Sequence, residues 1–111
     1  MVYLKDFEIV QGDTLTFTVE INGLNGNLKT AYFSVKKNIN DTSYVFQKKL
    51  SGSNQIVKVD NNHYRVRIAP DDTKDIDTGS YFYDMQIGIN DDIWTILSGR
   101  LKVDYQITTE S

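Results

Sequence analysis

The side chains that could move a proton or hold a metal in this chain are few and unevenly spread. There is one histidine, His63, and no cysteine. Asp71, Asp72, Asp75 and Asp77 crowd into one short segment, and Asp91 and Asp92 follow further on. A histidine within reach of a carboxylate can act as a general base. His63, however, shares its phase with Arg65 and Arg67 in an alternating run, which reads as the solvated side of a strand. No serine stands in a nucleophile-elbow context, and spacing assembles no triad. Calcium would need several hard oxygen ligands on one point, and the acidic segment lacks the alternating Asp/Asn rhythm with a central glycine. Capping the turn after Pro70 employs these residues instead. Paired carboxylates flanking a sugar cleft would hydrolyse glycosides, but the apolar residues here are committed to a core and leave no cleft. Without cysteine there is neither a disulfide nor a thiolate zinc site. No catalytic residue, metal or cofactor is expected.

Aromatic residues offer a second kind of chemistry, that of recognition. Tyr32 and Phe82 fall on the polar phases of their strands, and Trp94 falls out of phase with the apolar positions that follow it. Exposed aromatic groups mark partner surfaces, so Tyr32, Phe82 and Trp94 form the candidate interface. The same rings could stack on a sugar, which leaves a glycan open as a ligand. Asn40-Asp41-Thr42 matches a glycosylation acceptor and is read as accidental, because no secretory signal accompanies it.

Strands must position these groups. Leu15, Phe17, Val19 and Ile21 alternate with Thr14, Thr16, Thr18 and Glu20, a period a half-buried strand satisfies and a helix does not. Phe7 to Val10 is a shorter first strand. After the loop Asn22 to Asn27, Ala31, Phe33 and Val35 face inward and Tyr32, Ser34 and Lys36 outward. Tyr44 to Lys49 reads as an edge strand protected by its lysines. Ser51 to Asn54 is a turn. Ile56 to Val59 and Tyr64 to Ile68 form a hairpin through Asp60-Asn61-Asn62. Pro70 opens one helical turn. In the last strand Trp94 and Ile96 share one phase while Leu101, Val103, Tyr105 and Ile107 share the other, which places a bulge at Ser98-Gly99. Thr108 to Ser111 is expected to fray.

The segment that organises the rest is Asp77-Thr78-Gly79-Ser80-Tyr81-Phe82-Tyr83. It reads as the D-x-G-x-Y-x-C signature of an immunoglobulin-type corner strand, with Tyr83 where a disulfide cysteine would stand. Asp77, Gly79 and Tyr81 are the structural corner, in which the tyrosine bonds back to the backbone. Beyond it Tyr81, Tyr83, Met85, Ile87 and Ile89 share one face. The expected fold is therefore all-β: an immunoglobulin-like antiparallel β-sandwich of about seven to eight strands, with one short helical turn before the corner strand.

With 111 residues, 40% hydrophobic and 24% charged, the chain is expected to be a single domain over residues 1–111. A net charge of -3 with interspersed signs counts against nucleic acid, which selects a concentrated basic surface. No segment is long and apolar enough for membrane insertion. The start, Met1 to Asp6, does not read as a signal peptide, so the expectation is a cytosolic protein or one released by a route without a signal.

Four segments, taken in order, resemble the small N-terminal immunoglobulin-like domain of the phage baseplate upper protein family. They are residues 11–19 (Gln-Gly-Asp-Thr-Leu-Thr-Phe-Thr-Val), 31–37 (Ala-Tyr-Phe-Ser-Val-Lys-Lys), 69–73 with 78–86 (Ala-Pro-Asp-Asp-Thr and Thr-Gly-Ser-Tyr-Phe-Tyr-Asp-Met-Gln), and 95–103 (Thr-Ile-Leu-Ser-Gly-Arg-Leu-Lys-Val). The resemblance covers nearly the whole chain. It implies a non-enzymatic phage or prophage virion structural protein, of the tail or baseplate, that docks or assembles receptor-binding or fibre components. Its partners would be other virion proteins and copies of itself, and its place the virion, after synthesis in the bacterial cytoplasm. The family brings no catalytic motif to transfer. A carbohydrate-binding module for the host cell wall and a calcium-stabilised surface adhesion domain are the alternatives.

Overall fold

The computed structural model describes residues 3–22, 28–50 and 55–107. The turn expected at Ser51 to Asn54, most of the Asn-Gly loop and the terminal Thr108 to Ser111 lie outside the described residues. In chain order the elements are β1 (Tyr3–Leu4), β2 (Phe7–Val10), β3 (Leu15–Glu20), β4 (Thr30–Lys36), β5 (Phe46–Lys49), β6 (Ile56–Lys58), β7 (His63–Ile68), α1 (Pro70–Thr73), β8 (Gly79–Ile89) and β9 (Asp92–Asp104). One sheet runs β1-β9-β8-β4-β5, with β2 also on β9, and the other runs β3-β7-β6.

The alternating residues do what their period requires. Ala31, Phe33 and Val35 on β4, Tyr64, Val66 and Ile68 on β7, and Tyr81, Tyr83, Met85 and Ile87 on β8 are all buried between the sheets. At the corner, the Tyr81 hydroxyl donates to the Asp77 carbonyl at 2.6 Å, and Gly79 takes φ +136°, which a side chain would disfavour. Asp77 thus contributes its backbone, while its side chain is exposed. Two facing sheets closed by this corner make an immunoglobulin-like sandwich. Removing only the hydroxyl, Tyr81→Phe, is expected to cost about 1 kcal/mol in urea unfolding. Wild-type stability in that variant would mean that the corner is held by packing alone.

A ring cluster occupies the centre. Phe7 stacks on Phe17 at 4.6 Å, Phe17 meets Phe33 edge-on at 5.5 Å, and Phe33 stacks on Tyr83 at 5.1 Å. Phe17 lies on β3 and the other three on the opposite sheet, so the cluster ties the sheets together where a disulfide packed on a tryptophan does so in antibody domains. Burial pushes the Tyr83 phenol up to about 12, with Asp6 adding to the rise. Its hydroxyl donates to the Lys5 carbonyl.

Five expectations need correction. The sandwich is not wholly antiparallel: β1 and β2 run parallel to β9, because the chain lies along β9's open side before crossing to the other sheet through residues 11–14. The bulge sits at Ile96, not Ser98-Gly99, since Met85 pairs with Leu97 and Gln86 with Thr95. Tyr105 and Ile107 are exposed, because β8 begins opposite Val103 and offers no neighbour past Asp104. Lys48 does not decorate the edge but points inward. It is 8% exposed, and its Nζ meets the Asp72 carboxylate at 2.5 Å. Asp72 also accepts from the Ala69 amide at 2.7 Å. It therefore bonds the residue before α1, not the free amides inside the turn. An inward charge on an edge strand is one of the devices that discourage pairing with strangers.

Candidate functional site: the outer face of the larger sheet

The register of β5, β4, β8 and β9 sets the outward side chains in rows across the strands. Gln47, Ser34, Asp84 and Ser98 are successive cross-strand partners. One flanking row contains Lys49, Tyr32, Gln86 and Thr95, and the other Lys36, Phe82 and Arg100. Small serines beside Asp84, between the Tyr32 and Phe82 rows, leave a depression of about 560 Å³, walled on one side by Ile39 and Tyr44.

Asp84 forms the floor. Burial lifts its carboxyl above the usual carboxylate range, and the Lys36 charge pulls the other way. Among the described residues none donates it a hydrogen bond, whereas Gln47 donates to Ser34 Oγ at 2.9 Å. Around the rim the rings are capped by cations: the Arg100 guanidinium lies 5.2 Å from the Phe82 centroid and Lys36 Nζ 5.4 Å from that of Tyr44. A half-buried acceptor inside a basic, aromatic rim suits a partner that brings a hydrogen-bond donor surrounded by carboxylates.

Of the sequence candidates, Tyr32 and Phe82 lie on this face, and Trp94 does not. Trp94 pairs with the buried Ile87, so it faces the core side. It is nonetheless 53% exposed, at the end of the β8–β9 hairpin. Asp84, Ser34 and Ser98 were not singled out from sequence, because each is only a polar residue on its own strand.

His63 meets acids other than those of the segment after Pro70. His63 Nδ1 lies 2.7 Å from Asp60 and Nε2 3.1 Å from Glu20. The hydrogen bond to Asp60, then Glu20, holds its imidazole above the ordinary histidine range against some burial, and Asp60 is lowered in turn by the Asn62 amide and His63. Asp71 pairs with Lys74 at 3.1 Å. Among the described residues no three His, Asp or Glu side chains converge as a metal would require.

No protein-family model matches the chain, and no curated protein does. Solved structures share its shape. The extracellular domain of the voltage-gated sodium channel beta4 subunit, described as forming parallel homodimers with a role in cell-cell adhesion, is 12% identical with a TM-score of 0.49, over 94% of this chain and 93% of that one. A protein of Bacteroides vulgatus ATCC 8482 provisionally described as a glycoside hydrolase is 13% identical with a TM-score of 0.47, over 90% of this chain. This chain spans 16% of it.

Proposed function

We propose that the chain is a non-enzymatic assembly domain of a phage or prophage tail, docking receptor-binding or fibre components through the outer face of the larger sheet. The observation that carries the docking surface is Asp84, a half-buried carboxylate with no donor among the described residues, in the depression between Tyr32 and Phe82. A partner seated over the depression excludes water from this carboxylate, so it must bring a hydrogen-bond donor to match it. The tail assignment is supported by the sequence resemblance and the sandwich fold.

The test is calorimetric titration of this chain with the products of neighbouring tail reading frames. Phe82→Ala and Asp84→Lys should each weaken the complex by about 2 kcal/mol, a loss of some thirtyfold, with melting temperatures near wild type. Full affinity in both variants would move the surface elsewhere. Binding of a cell-wall glycan, lost in the same variants, would replace the protein partner with the carbohydrate-module reading, which the polar floor and aromatic walls also suit.

A further inference from the structure

The edges of the sandwich are protected unequally. β5 carries the inward Lys48 and the exposed Lys49. β6 is three residues long and ends in Lys58. β1 and β2 are short and separated by Lys5-Asp6. β3 has none of these devices. It is six residues long, pairs with β7 without a bulge from Leu15 to Glu20, and contains neither lysine nor proline. Its outward side chains are Thr16, Thr18 and Glu20, preceded by the exposed Thr14. Among the described residues nothing pairs with its second edge.

The flanking hydrogen bonds fix which groups that edge presents. The Ile21 amide donates to the Asn62 carbonyl at 2.7 Å and the Arg67 amide to the Gln55 carbonyl at 2.9 Å. Alternation along each strand then aims Leu15, Phe17 and Val19 at β7, and turns the N–H and C=O of Thr16, Thr18 and Glu20 outward. A regular edge with free groups and no charge along its middle is a template for another strand.

We propose that β3 pairs antiparallel with β3 of a second copy about a two-fold axis, merging the two smaller sheets into one. Self-complementarity argues for this occupant. Keeping apolar residues on one face requires odd residues to oppose odd ones. With Phe17 opposite its own counterpart, Leu15 meets Val19, Thr16 meets Thr18 and Thr14 meets Glu20. Every apolar pair then lies on the core side, threonine faces threonine outside, and no like charges oppose, a favourable cross-strand set. Such an interface is isologous and closes at two copies. The proposal shares with the assembly reading only the premise that the chain works in several copies, and its edge is separate from the partner face.

Sedimentation equilibrium from about 1 μM to about 1 mM tests it on the full chain, with amide hydrogen exchange at both ends of that range. The 12.7 kDa mass should double at the upper end, with the Thr16, Thr18 and Glu20 amides protected only there. Thr18→Pro removes an outward amide that the β7 ladder does not use, a place where an edge strand accepts proline. Thr16→Lys/Thr18→Lys sets like charges across the axis while leaving the backbone intact. Each should weaken dimerisation at least tenfold. A monomer throughout, unprotected edge amides in the dimer, or wild-type dimerisation by either folded variant would overturn the proposal. So would a dimer lost in Phe82→Asp but kept in the β3 variants. Failure to bind tail proteins would not, since only self-association is measured.

Discussion

Phe33→Ala is expected to lower the unfolding free energy by about 3–5 kcal/mol. The ring is fully buried and lies between Phe17 on the opposite sheet and Tyr83 on β8. Removing it deletes a large apolar surface and interrupts the chain of rings that joins the sheets. The cost follows from the missing disulfide. An antibody domain holds its sheets together covalently at this level, whereas this chain relies on ring contacts that act only in the folded state. Against a total of about 5–15 kcal/mol for a domain of this kind, the variant would be marginal at 37 °C. Phe33→Leu keeps most of the volume and should cost less, about 1–2 kcal/mol. Urea unfolding followed by circular dichroism measures both. A loss below about 1 kcal/mol for the alanine variant would mean that Phe7, Phe17 and Tyr83 close over the gap, and that the cluster is not the joint between the sheets.

The strands were legible because each alternates against a single opposing layer. Leu15, Phe17 and Val19 need only one face covered, and period two states which face that is. The corner was legible because Asp77, Gly79 and Tyr81 are four residues apart at most, Tyr81 bonding back to Asp77 across the glycine turn. What was misread depends on chain that arrives from far away. Lys48 occupies an inward phase, and a lysine there reads as surface until Asp72 comes to meet it across the end of the sandwich. Trp94 has the parity of a core residue, but parity does not say how far the second sheet extends over it. The depression on the outer face is a row across four strands, Gln47, Ser34, Asp84 and Ser98. Those residues are neighbours only after pairing, so no window of sequence contains them. Gly99 is the sharpest case. A glycine at a change of phase suggests a bulge, and the extra residue is Ile96 instead. What Gly99 answers to is Lys5, at the other end of the chain.

Gly99→Ala should cost about 2–4 kcal/mol, through lost hydrogen bonds of about 1 kcal/mol each. A Cβ built on Gly99 would stand 2.0 Å from the Lys5 carbonyl oxygen and 2.8 Å from its carbon. Both are backbone atoms, so no side-chain rotation relieves the clash. The edge strand between β1 and β2 would have to lift away from β9. That movement strains the Lys5 amide bond to the Ser98 carbonyl and the Arg100 amide bond to the Asp6 carboxylate, each 3.0 Å long. It also withdraws the Lys5 carbonyl from the Tyr83 hydroxyl, whose ring packs directly against Phe33 and Phe7. Tyr83 and Gly99 are cross-strand partners, so the missing side chain of one makes room for the acceptor of the other. A double-mutant cycle separates this account from a simple clash. If the alanine acts by displacing the Lys5 carbonyl, Tyr83→Phe should cost about 1 kcal/mol alone and almost nothing in the Gly99→Ala background. Additive losses would show that the hydroxyl keeps its acceptor, and that the edge strand yields somewhere other than Lys5.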